Sequence, residues 1–308
     1  LAMVPVPQLL PALVSDLDRK ELSGGLLLMG DVDYDGDSQT KPKKPRRKSW
    51  MRSNTALVRG NDLPFAPLQA TGGEIAAIKE LFSDLFEPEP EELKTLKQAG
   101  ATEQAFRELA PRFYNIHLAT HGFFADPEKK SALASNTKTR QRLRPGMERD
   151  RWIRGFNPGL LSGLAFAGAN REPHPDKDDG ILTADEIAAL SLDGVDLVVL
   201  SACETGLGEV AGGEGLLGVQ RAFQVAGARS TVASLWKVDD QATRQLMERF
   251  YRNYWGKKMS KLDALREAQL WMLRERGSRG LTDLDQEKEI KRLPPFYWAA
   301  FVLSGDWR

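Results

Sequence analysis

The chain has 308 residues, 41% of them hydrophobic and 28% charged, and its formal net charge is zero. That length suits one large domain or two, and the composition is that of an ordinary globular protein. The charge balance argues against a general nucleic-acid binder, and the single cysteine excludes an internal disulfide framework or a Cys-rich zinc site.

A lone thiol fits a reducing, cytoplasmic setting. No stretch approaches the ~20 apolar residues that span a bilayer, so no membrane partner is expected. No signal peptide is recognisable. The chain begins at Leu1, which reads as a piece of something longer. Residues 1–24 read as a lead-in linker, with a helix over 8–21, and residues 25–308 as one domain.

Gly25–Gly30 is a short buried-strand candidate. The acidic run from Asp31 to Asp37 imitates the start of an EF-hand, with acids at positions 1, 3 and 5 and glycine at 6. Position 12 would be Pro42, where a bidentate Glu is required, so an acidic turn is the reading and calcium the lesser option. Residues 41–59 form a basic loop insertion that includes Arg46 and Arg47. A solvated charge run is its plainest reading; a phosphate patch or a protease-sensitive segment are sharper ones.

Ile75, Ile78, Leu81, Phe82 and Leu85 recur at helical spacing, which predicts a helix over 72–86. Residues 87–100 are polar and read as surface helix or loop. Thr102 opens a helix to Leu109, with Phe106 inward. Residues 113–119 form the next strand, ended by Thr120-His121-Gly122. A second long insertion follows at 125–156, containing Arg142 and Arg144; loops of this length are usually functional or disordered.

Residues 159–167 read as a small-residue strand. A polar turn with His174 follows, where a solvated ring is the default. Thr183 and Glu186 make a capping box for a helix to about Leu190. A short apolar strand candidate from Leu197, bounded by Asp196 and Gly206, carries Cys203 to its end and then breaks into glycines. Beyond it come a helix over 212–227, a strand over 230–236, an Asp239-capped helix to Tyr254 and a Ser260-capped helix to Leu273. Residues 277–293 are charged and unpatterned, and 296–303 read as a final aromatic strand. Strands alternating with helices predict a layered α/β fold with a mainly parallel sheet.

Chemistry in such sheets collects beyond the carboxyl ends of the strands. Cys203 and His121 both fall at such ends. A lone Cys in an apolar run is ordinarily a small buried hydrophobe, and an isolated His is more often structural. Together they suggest a dyad. A free thiol has a pKa of ~8.5 and a free imidazole ~6.5, so a paired His can take the thiol proton near neutrality. Gly122 has no Cβ, so its backbone N–H can approach a developing oxyanion. If the strand stays regular, His117 and His121 point to one face.

His117-Leu-Ala-Thr-His121-Gly122 and Leu200-Ser-Ala-Cys203-Glu-Thr-Gly206 resemble the CHAT family of caspase-like, clan CD cysteine peptidases, related to separases and caspases. Asp179–Ile187, Ser234–Asp240 and Tyr297–Gly305 are similar to it as well, in order along the chain. The resemblance implies a three-layer caspase–haemoglobinase fold and hydrolysis of peptide bonds in a protein or peptide substrate. His121 would be the base, Cys203 the nucleophile, and the Gly122 and Cys203 amides the oxyanion hole. His117 would be supporting. No cofactor or metal is implied.

Separases place an acid near the matching Leu-Trp-x-Val stretch. By that resemblance Asp240, with Asp239, Trp236 and Glu204 as further substrate-binding candidates, would receive an Arg or Lys side chain; the plain alternative is that these acids cap a helix. An Arg-selective pocket would make Arg46, Arg47, Arg142 and Arg144 self-processing candidates. The family's usual neighbours, helical repeats or signalling modules in stress or antiviral defence, would supply the gate. The alternative is a catalytically silent scaffold or interaction module in a signalling complex. Direct nucleic-acid binding has little support, because the formal net charge is zero.

Overall fold

The computed structural model describes residues 2–3, 24–36, 65–124, 160, 162–171, 178–201, 214–236, 238–275 and 293–308. The helix expected over 8–21, most of both basic insertions, His174, Cys203 and Glu204 lie outside these residues, as do Arg46, Arg47, Arg142 and Arg144.

The described strands are β1 (Ala2–Met3), β2 (Leu26–Val32), β3 (Leu93–Gln98), β4 (Asn115–Ala119), β5 (Gly122–Phe124), β6 (Ser162–Ala165), β7 (Ile181–Thr183), β8 (Leu197–Leu200), β9 (Ser230–Ser234) and β10 (Phe301–Gly305). Seven of them form one sheet in the order β1-β10-β9-β8-β4-β2-β3, and β5-β6-β7 form a second, smaller one. Within the large sheet every pairing is parallel except β9 with β10. The helices are α1 (Thr71–Phe86), α2 (Glu103–Leu109), α3 (Ala184–Ala188), α4 (Glu214–Val225), α5 (Asp240–Tyr251), α6 (Lys261–Glu275) and α7 (Pro295–Trp298).

Alternation along the strands divides the core in two. Leu27, Met29, Ile116, Leu118, Val198 and Leu200 join one cluster with Phe106 of α2, Ile187 of α3 and Phe223 of α4. Leu26, Leu28, Leu197, Val199 and Val232 join another with Ile75 and Phe82 of α1, Phe250 of α5 and Ala268 of α6. A parallel sheet covered on both faces requires strands that are apolar throughout, and β8 is buried at every residue. The expected three-layer α/β architecture with a mainly parallel central sheet is observed.

Side-chain caps form where the sequence placed them. Thr102 accepts from Ala105 N at 3.1 Å, and Asp239 from Ala242 N at 2.9 Å. Thr183 and Glu186 complete the capping box of α3. Ser260 Oγ accepts from Asp263 N at 3.1 Å.

Three expectations are corrected. Residues 93–98, read as surface helix or loop, are the edge strand β3. The run read as a strand over 296–303 begins instead as the short helix α7, and its strand starts at Phe301. Pro295 at the first helical position favours this start, since its missing N–H is not needed there. The helix ending at Tyr254 passes after Tyr251 into a π-helical turn, Arg252–Gly256.

Two charged groups lie beneath the surface, the first of them away from the carboxyl ends of the strands. Just before β8, Asp196 accepts from Lys261 Nζ at 2.9 Å through Oδ1 and from Tyr254 Oη at 2.9 Å through Oδ2. Lys261 also donates to Ser230 Oγ at 2.8 Å, and Asp196 and Lys261 are both nearly fully buried.

At the start of α2, Glu103 is held by Arg107 at 2.6 Å, and Arg107 reaches on to Glu186 of α3 at 3.0 Å. Burial pushes the Glu103 carboxyl up to about 7, only partly opposed by Arg107. The folded state therefore holds that proton more tightly than the unfolded chain, and stability falls as pH rises from about 4.5 to about 7. Urea midpoints at pH 5 and pH 8 should show this fall in the wild type. Glu103→Gln should reduce it, and an equal fall in both proteins would count against a buried, proton-holding Glu103.

Candidate active site

The carboxyl ends of β4 and β8 lie side by side, with Leu118 opposite Leu200 in parallel register. The regular strand β4 stops at Ala119, and the next residues carry the expected base. Thr120 Oγ donates to Ala165 O. The Tyr34 hydroxyl, 3.0 Å from the same Thr120 oxygen, then has its proton free to donate to it, while accepting from His121 N at 3.2 Å. Burial pushes the Tyr34 phenol up to about 12, so it remains a donor across the physiological range.

The His121 imidazole is 1% exposed and lies against two aromatic rings, Tyr34 at 5.0 Å and Phe65 at 5.5 Å between centroids. Its Nε2 is 2.7 Å from Ala66 O. A carbonyl can only accept, so Nε2 carries the hydrogen and Nδ1 is the basic nitrogen of the neutral ring.

His117 and His121 do not share a face, because the strand does not stay regular past Ala119. His117 turns toward α1 and α5, with Nε2 3.1 Å from Glu74 Oε1 and Nδ1 3.1 Å from Tyr251 Oη. His121 meets Tyr34 and Phe65, which pack with the other core cluster.

Gly122 begins β5, paired with β6 in the small sheet. The bond from Ala165 N to His121 O, 2.9 Å, makes Gly122 and Leu164 a non-hydrogen-bonded pair. The Gly122 N–H therefore points away from β6. Gly163 lets this sheet close up: a Cβ there would lie 2.3 Å from Leu182 O and 2.7 Å from the Phe123 ring.

Beyond β8, Ser201 N still donates to Leu118 O at 2.9 Å, and Cys203 follows two residues on in the sequence. Beyond β9, Leu235 is 39% exposed, and the Trp236 indole donates to Phe296 O at 3.0 Å. Asp239 is the cap of α5, and Asp240 is the first residue of that helix and is exposed. The carboxyl edge thus gathers His121, Gly122 and Trp236, with Asp239 and Asp240 on the loop and helix that follow β9.

The acidic turn after β2 is tied down by neighbours. Asp35 accepts from Asn170 Nδ2 at 2.9 Å through its carboxylate and from Arg171 Nε at 2.9 Å through its carbonyl. Among the described residues no group of three or more His, Cys, Asp or Glu side chains is placed to hold a metal ion.

The model of the CHAT domain matches residues 12–306. The chain belongs to the CHAT family. CHAT domains are caspase-like and belong to clan CD. No curated protein matches this CHAT chain. Among its described residues no helix is long and apolar enough to cross a membrane.

Sequence reasoning missed Tyr34, Phe65 and Ala66, which hold His121, and Glu74, Ser201 and Tyr251, which surround His117. Only Glu74 left a trace: an acid beside Ile75 and four before Ile78, on the stripe that faces the core.

Proposed function

We propose that this CHAT chain is a cysteine endopeptidase in which Cys203 is the nucleophile and His121 the base. The observation that supports it best is the adjacency of β4 and β8, since His121 lies just past the carboxyl end of β4 and Cys203 just past that of β8. His121 Nδ1 takes the Cys203 thiol proton, and the sulfur attacks the scissile carbonyl carbon. The N–H groups of Gly122 and Cys203 stabilise the oxyanion. As the C–N bond breaks, His121 returns the proton to the leaving amine, leaving a thioester that water hydrolyses. None of these steps needs a cofactor.

In this reading Asp240 and Trp236, with Glu204, receive the residue before the scissile bond, an Arg or Lys. Asp239 is already engaged as the α5 cap and contributes charge rather than a contact. Arg46, Arg47, Arg142 and Arg144 are then sites of self-processing, and an upstream helical-repeat or sensor module in the cytoplasm gates the enzyme within a signalling or defence complex.

A positional peptide library tests this reading with the wild type, Cys203→Ala and Asp240→Asn. The expected result is cleavage after Arg or Lys that Cys203→Ala abolishes and Asp240→Asn shifts away from basic residues. Cysteine-dependent cleavage unaffected by Asp240→Asn keeps the peptidase and discards the pocket. No cleavage, with or without the upstream region, leaves a silent scaffold.

A further inference from the structure

Glu74 stands in the first turn of α1 but is only 3% exposed, with its carboxylate turned into the layer between helix and sheet. Its Oε1 accepts from Ser201 Oγ at 2.7 Å and lies 3.1 Å from His117 Nε2. Tyr251 of α5 closes the far side of the ring. His117 and Tyr251 are fully buried, and Ser201 is 4% exposed.

The protons in this network can be placed. Burial, with the charge of Glu74 adding to it, holds the Tyr251 phenol well above its ordinary range. Its hydroxyl stays protonated, 3.1 Å from His117 Nδ1. A carboxylate can only accept, so Nε2–H donates to Glu74, and the ring links a phenol to a carboxylate. Glu74 accepts twice through one oxygen, from the ring and from the Ser201 hydroxyl.

Ser201 is the first residue past β8, and it is held from two directions. Its N–H stays in the ladder with Leu118 of β4, and its side chain is drawn to α1 by Glu74. A buried carboxylate is an expensive group for packing, because apolar residues of the same volume would do as well or better. What the charged acceptor adds is direction, a single orientation for the hydroxyl that it binds.

We propose that Glu74 is a positioning residue for the nucleophile, acting through Ser201 to fix the path on which the chain leaves β8 toward Cys203. The proposal rests on the peptidase reading for its purpose, but not for its test. Cys203 is the only cysteine, so alkylation by iodoacetamide reports on it without any substrate.

Ser201→Ala should slow both kcat and the alkylation rate by about 10- to 100-fold, since an ångström of misplacement is worth that much. KM should stay within about twofold, and the alkylation rate should rise at higher pH than in the wild type as the thiol loses its place beside the base. Ser201→Thr keeps the hydroxyl and should remain within about threefold. Glu74→Ala should match Ser201→Ala, and the double variant should be no slower than either, the non-additivity of two groups acting in one tether.

A folded Ser201→Ala protein with wild-type alkylation rate and pH profile would overturn the proposal. Should Glu74→Ala fail to fold, the serine pair decides alone. A wild type that cleaves nothing, with or without the upstream region, but shows the expected alkylation differences removes the peptidase reading and leaves the positioning role standing.

Discussion

Replacing His121 with alanine is expected to lower kcat/KM by about 10²- to 10⁴-fold in a protein that still folds. The size follows from what the side chain is set up to do. Ala66 O engages Nε2, so the ring presents Nδ1 as its base, and Tyr34 and Phe65 hold its plane. Without it the thiol must lose its proton to water, and the departing amine must leave without an acid. The pH profile separates this from a packing defect. The wild-type rate should rise through an apparent pKa that belongs to the Cys–His pair, and the variant should lose that limb and respond to pH near the range of an unpaired thiol, about 8.5. A variant within threefold of wild type, with an unchanged profile, would remove His121 from the mechanism.

Replacing Asp196 with alanine should cost about 3–5 kcal/mol of stability, the usual consequence of leaving a buried charge without its partner. Lys261 is nearly fully buried, and Asp196 is its close carboxylate. Burial already lowers the Lys261 pKa, with Asp196 the main opposing influence. In the variant the ammonium is harder still to keep charged, so the folded state releases the proton more readily than the unfolded chain. Stability then rises with pH, and the deficit measured at pH 7 should shrink by pH 9. Urea unfolding at the two pH values checks both the size and the sign. Removing both charges together, Asp196→Leu with Lys261→Met, should recover much of the loss. A deficit under about 1 kcal/mol for Asp196→Ala alone would mean that water reaches this pair.

The central strands were legible in the sequence because a doubly covered strand must be apolar throughout, as Leu197–Leu200 is. The helix starts at Thr102, Thr183 and Asp239 were legible because a cap is a local device, read within three residues. What failed was set by distance or by one-sided burial. The strand Leu93–Gln98 alternates poorly because, among the described residues, it pairs with β2 alone. Pro295–Trp298 carries aromatics that favour strands, but tertiary context and the prolines made a turn of helix of it. Of the candidate site, His121 stood out by its position at a strand end. Its main hydrogen-bond acceptor could not, since the Ala66 carbonyl is backbone and leaves no mark on side-chain chemistry.

The neighbours β4 and β8 are far from neighbours in the chain, for β5, β6, β7 and α3 all lie between them. Bringing them together closes a long loop, an entropic cost met only when much of the domain is in place. During synthesis the base therefore emerges well before the strand that leads to the thiol. A nascent or partly folded chain carries one half of the proposed dyad without the other, and in the peptidase reading hydrolytic competence is a late property of the finished sheet.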